Sequence, residues 1–205
     1  MGETVALVDY GAGNLHSVYN ALKRVGANVL VTADPKDVRI ADRVVLPGVG
    51  SFKACADGLR AIEAMPEALE DRVFSDAIPF LGICVGMQLM AEYGREHGEH
   101  EGLGWVAGSI DPIAGRADIK VPHMGWNTVR PTGAVSLIEP GEAYFLHSYA
   151  YRCGQAPSPV CALTDHGGEV VAAIQTGNAL GVQFHPEKSQ AYGLALLTRF
   201  LEWKP

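Results

Sequence analysis

Pro79-Phe80-Leu81-Gly82-Ile83-Cys84-Val85-Gly86-Met87-Gln88 passes from an apolar run directly into a helix-period segment. Pro79–Ile83 reads as a buried strand and Gly86–Tyr93 as a helix. The glycines at 82 and 86 allow a sharp turn between them without side-chain clashes. The same alternation runs upstream. Thr4–Asp9 is strand-like, Gly11-Ala12-Gly13 turns the chain, and Asn14 is placed to cap a helix over Leu15–Val25. Val29–Thr32 and Arg43–Leu46 are further strands. Asp34-Pro35 opens a short helix between them, with Pro at its first position. Ser51–Ala77 is helical in two pieces broken at Pro66. Strands alternating with helices imply right-handed crossovers and a parallel sheet covered on both faces, a three-layer αβα sandwich.

Downstream the pattern changes. Trp105–Ile110, Thr128–Arg130, Ala143–Arg152, Val160–Thr164, Val170–Gln175 and Ala179–Phe184 are short apolar runs set off by Gly and Pro. They predict an antiparallel extension of the parallel sheet, and Gln190–Trp203 a closing helix. The expectation is an α/β chain forming a single domain over residues 1–205.

Composition narrows the class. The chain has 205 residues, 48% of them hydrophobic, with a formal charge of −7. An acidic balance argues against nucleic acid or an anionic membrane surface as partner. No apolar run reaches the ~18 residues of a membrane span. Met1-Gly2-Glu3-Thr4 offers no basic leader region. Cys55, Cys84, Cys153 and Cys161 form no C-x-x-C pair, which suits reduced thiols in a cytoplasmic protein.

Cys84 stands where the strand meets the helix, in the G-x-nucleophile-x-G elbow with sulfur in place of hydroxyl. Such a turn projects the nucleophile from the carboxyl end of the sheet. A helix N-terminus behind it favours the thiolate, and the Val85 N–H is placed to supply half of an oxyanion hole. An inert buried cysteine is the competing reading. A thiolate needs a proton shuttle. His185 ends the last strand, and Glu187 follows across Pro186, so in extended chain the two side chains share a side. That is the Cys–His–carboxylate arrangement, in which Glu187 orients the imidazole. Pro47-Gly48-Val49-Gly50-Ser51 follows the third strand, where a second oxyanion donor, Val49 N–H, is expected. The same segment also reads as a tight turn with Ser51 as helix cap.

Other groupings are weaker. His97-Gly98-Glu99-His100 has no helix to align it, so no metal is expected there. Gly11-Ala12-Gly13-Asn14 lacks the third glycine of a dinucleotide turn. His123 and His147 have no adjacent carboxylate and read as structural.

Cys84 in its elbow, His185-Pro186-Glu187 and the Pro-Gly-Val-Gly turn together resemble the class I glutamine amidotransferases. Lys120-Val121-Pro122-His123-Met124-Gly125-Trp126-Asn127 and Tyr144-Phe145-Leu146-His147-Ser148-Tyr149 are similar to the glutaminase subunits of imidazole glycerol phosphate synthases within that family. The resemblance runs from Val5 to the Lys188 region. It implies a flavodoxin-like fold and hydrolysis of glutamine to glutamate and ammonia through a thioester on Cys84. It implies substrate contacts from Gly50, Gln88, Ser148 and Tyr149. Of these, Gln88 also has a reason in its spacing, one helical turn after Cys84. It implies a (β/α)₈-barrel cyclase partner that takes the ammonia, and it calls for no cofactor. Met124, Trp126 and Lys188 are the interface candidates, the first two displayed by a proline turn. A glutaminase subunit of another synthase and a stand-alone cysteine hydrolase are the alternatives.

Overall fold

The computed structural model describes residues 3–115, 119–133, 137–154 and 158–205. Met1 and Gly2, part of the stretch read for a leader, lie outside them. The first half alternates as expected: β1 (Thr4–Val8), α1 (Leu15–Arg24), β2 (Asn28–Thr32), α2 (Pro35–Ile40), β3 (Arg43–Gly48), α3 (Phe52–Arg60), α4 (Met65–Glu70), β4 (Phe80–Cys84) and α5 (Val85–Gln88). Then come β5 (Ala91–Gly94), β6 (His100–Glu101), β7 (Val106–Pro112), β8 (His123–Pro131), β9 (Gly141–His147), β10 (Tyr149–Cys153), β11 (Val160–Asp165), β12 (Glu169–Thr176), β13 (Ala179–Val182) and α6 (Gln190–Glu202).

Nine strands form the main sheet in the order β2-β1-β3-β4-β13-β12-β11-β8-β9. Pairing from β2 to β13 is parallel, and from β13 to β9 antiparallel. The architecture is therefore α/β with the expected antiparallel extension. β1, β3, β4 and β13 are buried almost throughout, because helices cover both faces. α1 packs with α6, and α2 with α4. One continuous apolar core reaches from Val5 to Phe200.

Local chemistry explains several boundaries. Asp34 caps α2 by accepting from Lys36 N at 2.8 Å, and Ser51 caps α3 by accepting from Ala54 N at 3.2 Å. The break in the long helical segment falls before Pro66, which sits in the first turn of α4, where its missing N–H costs nothing.

Four expectations need correction. The helix over Gly86–Tyr93 stops at Gln88. The carbonyls of Leu89, Met90 and Ala91 accept from Leu103, Trp105, Val106 and Gly104, so the chain leaves the helix and runs on as β5. Ala143–Arg152 is two strands, not one. The chain changes sheets at Ser148, and β10 joins a separate four-stranded sheet, β10-β7-β5-β6. Pro122–Asn127 is no turn: His123–Asn127 belongs to β8, which pairs along its length with β9. Asn14 does not cap α1 with its side chain; its φ is 70° and its amide is used elsewhere.

Candidate active site

Three loops separated in sequence meet at the carboxyl ends of adjacent parallel strands. The register sets Gly48 of β3 against Cys84 of β4, and Val182 of β13 against Ile83. The chain after Val182 therefore emerges beside Cys84. Cys84 has φ 54° and ψ −109°, a strained backbone for a residue with a Cβ. The elbow leaves no room for side chains around it. A Cβ at Gly86 would lie 1.9 Å from the Leu46 carbonyl oxygen, and one at Gly82 would lie 2.7 Å from the Gly86 carbonyl oxygen.

His185 is 1% exposed. Its backbone N–H donates to the Tyr144 carbonyl at 2.9 Å, and its own carbonyl accepts from Ser189 Oγ at 2.6 Å. Ser189 Oγ in turn accepts from Tyr144 N at 2.9 Å, which ties the loop to β9. His185 Nδ1 lies 2.7 Å from Glu187 Oε1, with both side chains buried. The two are brought together by a 3₁₀ turn at Pro186–Lys188 rather than by extended chain. Burial alone would push the imidazole down. Hydrogen bonding to Cys84 and Glu187, and their charges, outweigh it and raise His185 to about 9. With Nδ1 committed to Glu187, Nε2 is the nitrogen left for sulfur chemistry.

A cavity of about 260 Å³ opens over Cys84. That lies below the ~300–1,000 Å³ of drug-sized sites, so it suits a small metabolite. Val49, Gly50, Val85, Gln88, Ser148 and Tyr149 all line it together with Cys84 and His185. Gly50 has φ +100° and no atom within 4 Å of a Cβ there, so its requirement for glycine is conformational. Gln88 Nε2 donates to the Tyr149 carbonyl at 3.2 Å and to Gln183 Oε1 at 3.0 Å. Both of its amide hydrogens are thus engaged within the protein, and its Oε1 remains for a ligand's donor.

Met124 and Trp126 project from β8 and are 61% and 48% exposed. They face their β9 partners Leu146 and Tyr144. Leu146 reaches the cavity, and its carbonyl lies 3.9 Å from Cys84 Sγ. Lys188 is exposed but lines a different cleft, with Ser17, Asn20 and Arg24 of α1. Three side chains at the site escaped sequence reading. Asn14 donates to Glu187 Oε1, Gln183 Nε2 lies 3.6 Å from Cys84 Sγ, and Glu96 lines the cavity while accepting from Phe52 N at 2.7 Å. Gln183 left a trace in the sequence, as a polar residue inside an apolar strand-like run two positions before His185, and Asn14 was legible there only as a helix cap.

His123 and His147 form a buried relay. His147 Nδ1 donates to the Tyr149 carbonyl at 2.8 Å, so its Nε2 accepts from His123 Nδ1 at 2.9 Å. His123 Nε2 then accepts from Asn127 Nδ2 at 3.0 Å. Among the described residues no three His, Cys, Asp or Glu side chains converge to hold a metal, and no helix is long and apolar enough to cross a membrane.

A cysteine on a strained strand-to-helix elbow, with a histidine and a carboxylate delivered by the neighbouring strand of an α/β sandwich, is the set of groups that thiol-nucleophile chemistry calls for. The chain belongs to the glutamine amidotransferase class-I family, whose model matches residues 6–202, and within it to the imidazole glycerol phosphate synthase subunit HisH family. It is 55% identical to the Zymomonas mobilis protein of that name, covering 98% of this chain and 97% of the relative. It is 48% identical to the Rhodopseudomonas palustris one, covering 98% of this chain and all of the relative. A solved glutamine amidotransferase at 19% identity superposes with a TM-score of 0.75 over 96% of this chain and 97% of that one, which shows the shared fold.

Proposed function

We propose that Cys84, His185 and Glu187 carry the glutaminase activity that this subunit family brings to imidazole glycerol phosphate synthase in histidine biosynthesis, and that the ammonia passes to a (β/α)₈-barrel cyclase partner. The observation that carries the reading is the His185 imidazole, held by Glu187 at 2.7 Å and lining one cavity with Cys84.

The chemistry follows from the geometry. Cys84 Sγ attacks the side-chain amide carbon of glutamine, and the carbonyl oxygen takes the negative charge. The N–H groups of Val49 and Val85, on the two loops that line the cavity with Cys84, are the oxyanion donors. His185 protonates the leaving nitrogen, ammonia departs, and a glutamyl thioester remains. His185 then takes a proton from water as the water attacks the thioester. Glutamate leaves and the thiolate–imidazolium pair is restored. Gly50, Gln88, Ser148 and Tyr149 hold the amino-acid end of the substrate. The Tyr149 carbonyl is already shared by Gln88 and His147, so Tyr149 contributes through its other groups.

Ammonia released into water would protonate and diffuse away, so a synthase must receive it directly. Met124 and Trp126 lie beside Leu146, which lines the cavity, and this apolar face suits docking over its mouth. Lys188 supplies a cation at the end of the Pro186–Lys188 turn. The chain acts as one domain, in keeping with the main core that runs from Val5 to Phe200. The test is glutamine hydrolysis by the chain alone and with the cyclase subunit and its ligand. No glutamate release in the complete complex would overturn the reading.

A further inference from the structure

The sequence assigns stabilisation of the Cys84 sulfur to a helix N-terminus. α5 is one turn of four residues, too short to carry that role. The structure offers a different donor. Gln183 Nε2 lies 3.6 Å from Cys84 Sγ, within the reach of an N–H···S hydrogen bond, and Gln183 is 0% exposed.

We infer that Gln183 is a further catalytic residue: its side-chain amide donates to the Cys84 sulfur and favours the thiolate. The inference rests on Cys84 being the nucleophile. The amide's orientation is not free. The Tyr149 carbonyl can only accept, so the group of Gln88 that faces it at 3.2 Å is the NH₂. The second hydrogen of that NH₂ points to Gln183 at 3.0 Å, so the group facing it is Oε1. The other end of the Gln183 amide, Nε2, must then face the sulfur. The Tyr149 carbonyl also accepts from His147, so the anchor of this series is itself held by the histidine relay. The strand that delivers the proton shuttle thus delivers the sulfur's donor two residues earlier.

Besides His185, the ionisable groups around Cys84 include Tyr10 and Cys55 beneath it, and Glu96, His147 and Tyr149, which line its cavity. Burial raises Tyr10 and Cys55, the latter to about 11, so these two stay neutral near neutral pH. A neutral, fixed amide therefore adds to the His185 charge without competing for a proton.

The experiment is alkylation of the full-length chain by iodoacetamide across pH, following the Cys84 peptide by mass spectrometry. Because it needs no glutamine, its outcome is independent of the glutaminase reading. Gln183→Met keeps the volume and removes the donor. The midpoint of Cys84 alkylation should move up by about one pH unit, a tenfold change in the thiolate-to-thiol ratio, while thermal unfolding shows an intact fold. A folded Gln183→Met chain with the wild-type midpoint overturns the inference. The unaltered chain gives a second readout should that variant not fold. The side-chain amide proton resonances of Gln183 should move as Cys84 is titrated, and resonances that stay still would overturn it equally.

Discussion

Asn14 and Glu187, 173 residues apart in sequence, share a hydrogen bond: the Asn14 amide donates to Glu187 Oε1, the oxygen that also faces His185 Nδ1. The turn after β1 therefore helps to position the carboxylate. Asn14 has φ 70°, so glycine preserves the backbone while removing the amide. Asn14→Gly should lower kcat for glutamine roughly three- to tenfold, the loss of one hydrogen bond to a charged group, with little change in thermal stability. Steady-state kinetics beside a melting curve check this; an unchanged kcat would show that Glu187 needs no second holder.

On the proposed mechanism His185 and Glu187 should not be equivalent. There, His185→Ala removes the group assigned both proton transfers, whereas Glu187→Gln leaves an imidazole in place. Glu187→Gln should therefore retain more glutamine turnover, and the double variant should be little worse than His185→Ala. Cys84→Ser should abolish glutamine-dependent synthesis by the complex while added ammonia still supports it. Glutamine hydrolysis by Cys84→Ser would remove Cys84 from its assigned role.

Two glycines are predicted to be irreplaceable for steric reasons. A Cβ at Gly86 would sit 1.9 Å from the Leu46 carbonyl oxygen, and one at Gly193 would sit 1.8 Å from that of Pro186. Neither neighbour is a flexible side chain. Gly86→Ala should disturb the elbow, and Gly193→Ala should push α6 off the His185 loop, each costing at least ~1–3 kcal/mol in denaturant titration. Gly133, whose Cβ would meet nothing within 4 Å, serves as the control and should tolerate alanine.

Acid should loosen the fold through the histidine relay. Burial, followed by neighbouring histidines, lowers His123 to about 3. Burial lowers His147 to about 4, against a partly opposing hydrogen bond from the Tyr149 backbone. The unfolded chain takes up these protons near pH 6.5, the folded chain only near 3–4. The unfolded state thus binds more protons across that window. The stability from neutral histidines is complete above pH 6.5 and is lost as pH falls toward 4. Urea unfolding of His123→Leu should show a shallower decline between pH 6.5 and 4, by up to ~1.4 kcal/mol per pH unit for one titrating group. His185 works in the opposite sense. Raised to about 9, its contribution is complete below pH 6.5 and is lost as pH rises through 9.

The turn after β3 is where partner binding should act. Gly50 has φ +100° with open space around it, and the Val49 carbonyl accepts from Cys55 Sγ at 3.5 Å. We expect the Val49 N–H to point away from the oxyanion position in the free chain and to turn toward it when the liganded cyclase docks. A hundredfold activation needs ~2.7 kcal/mol of differential affinity. Gly50→Ala should change the ratio of glutaminase rates with and without the liganded partner. Equal rates in the free chain and in the liganded complex would exclude the mechanism.

Much of this was legible in the sequence because it is local. Asp34 and Ser51 cap the helices that follow them within three residues, and Gly82 and Gly86 flank Cys84 and make room for its turn. His185 and Glu187 need only the one proline turn between them. Strand alternation marks a parallel sheet because a strand buried on both faces has to be continuously apolar. The helix over Gly86–Tyr93 was misread because its carbonyls are claimed by residues 103–106, a partner that no periodicity records. Asn14 looked like a helix cap for the same reason: its side chain satisfies a distant carboxylate instead. Strand order lies beyond local reading altogether. Inserting β13 between β4 and β12 carries Gln183 and His185 to Cys84, and the end of β9 reaches the cavity through Leu146 and His147. Short-range chemistry selects turns, caps and the elbow at Cys84, since each depends on a few neighbouring residues. Which distant side chains surround the sulfur depends on register between strands far apart in the chain, and that is set only when the whole sheet closes on its core.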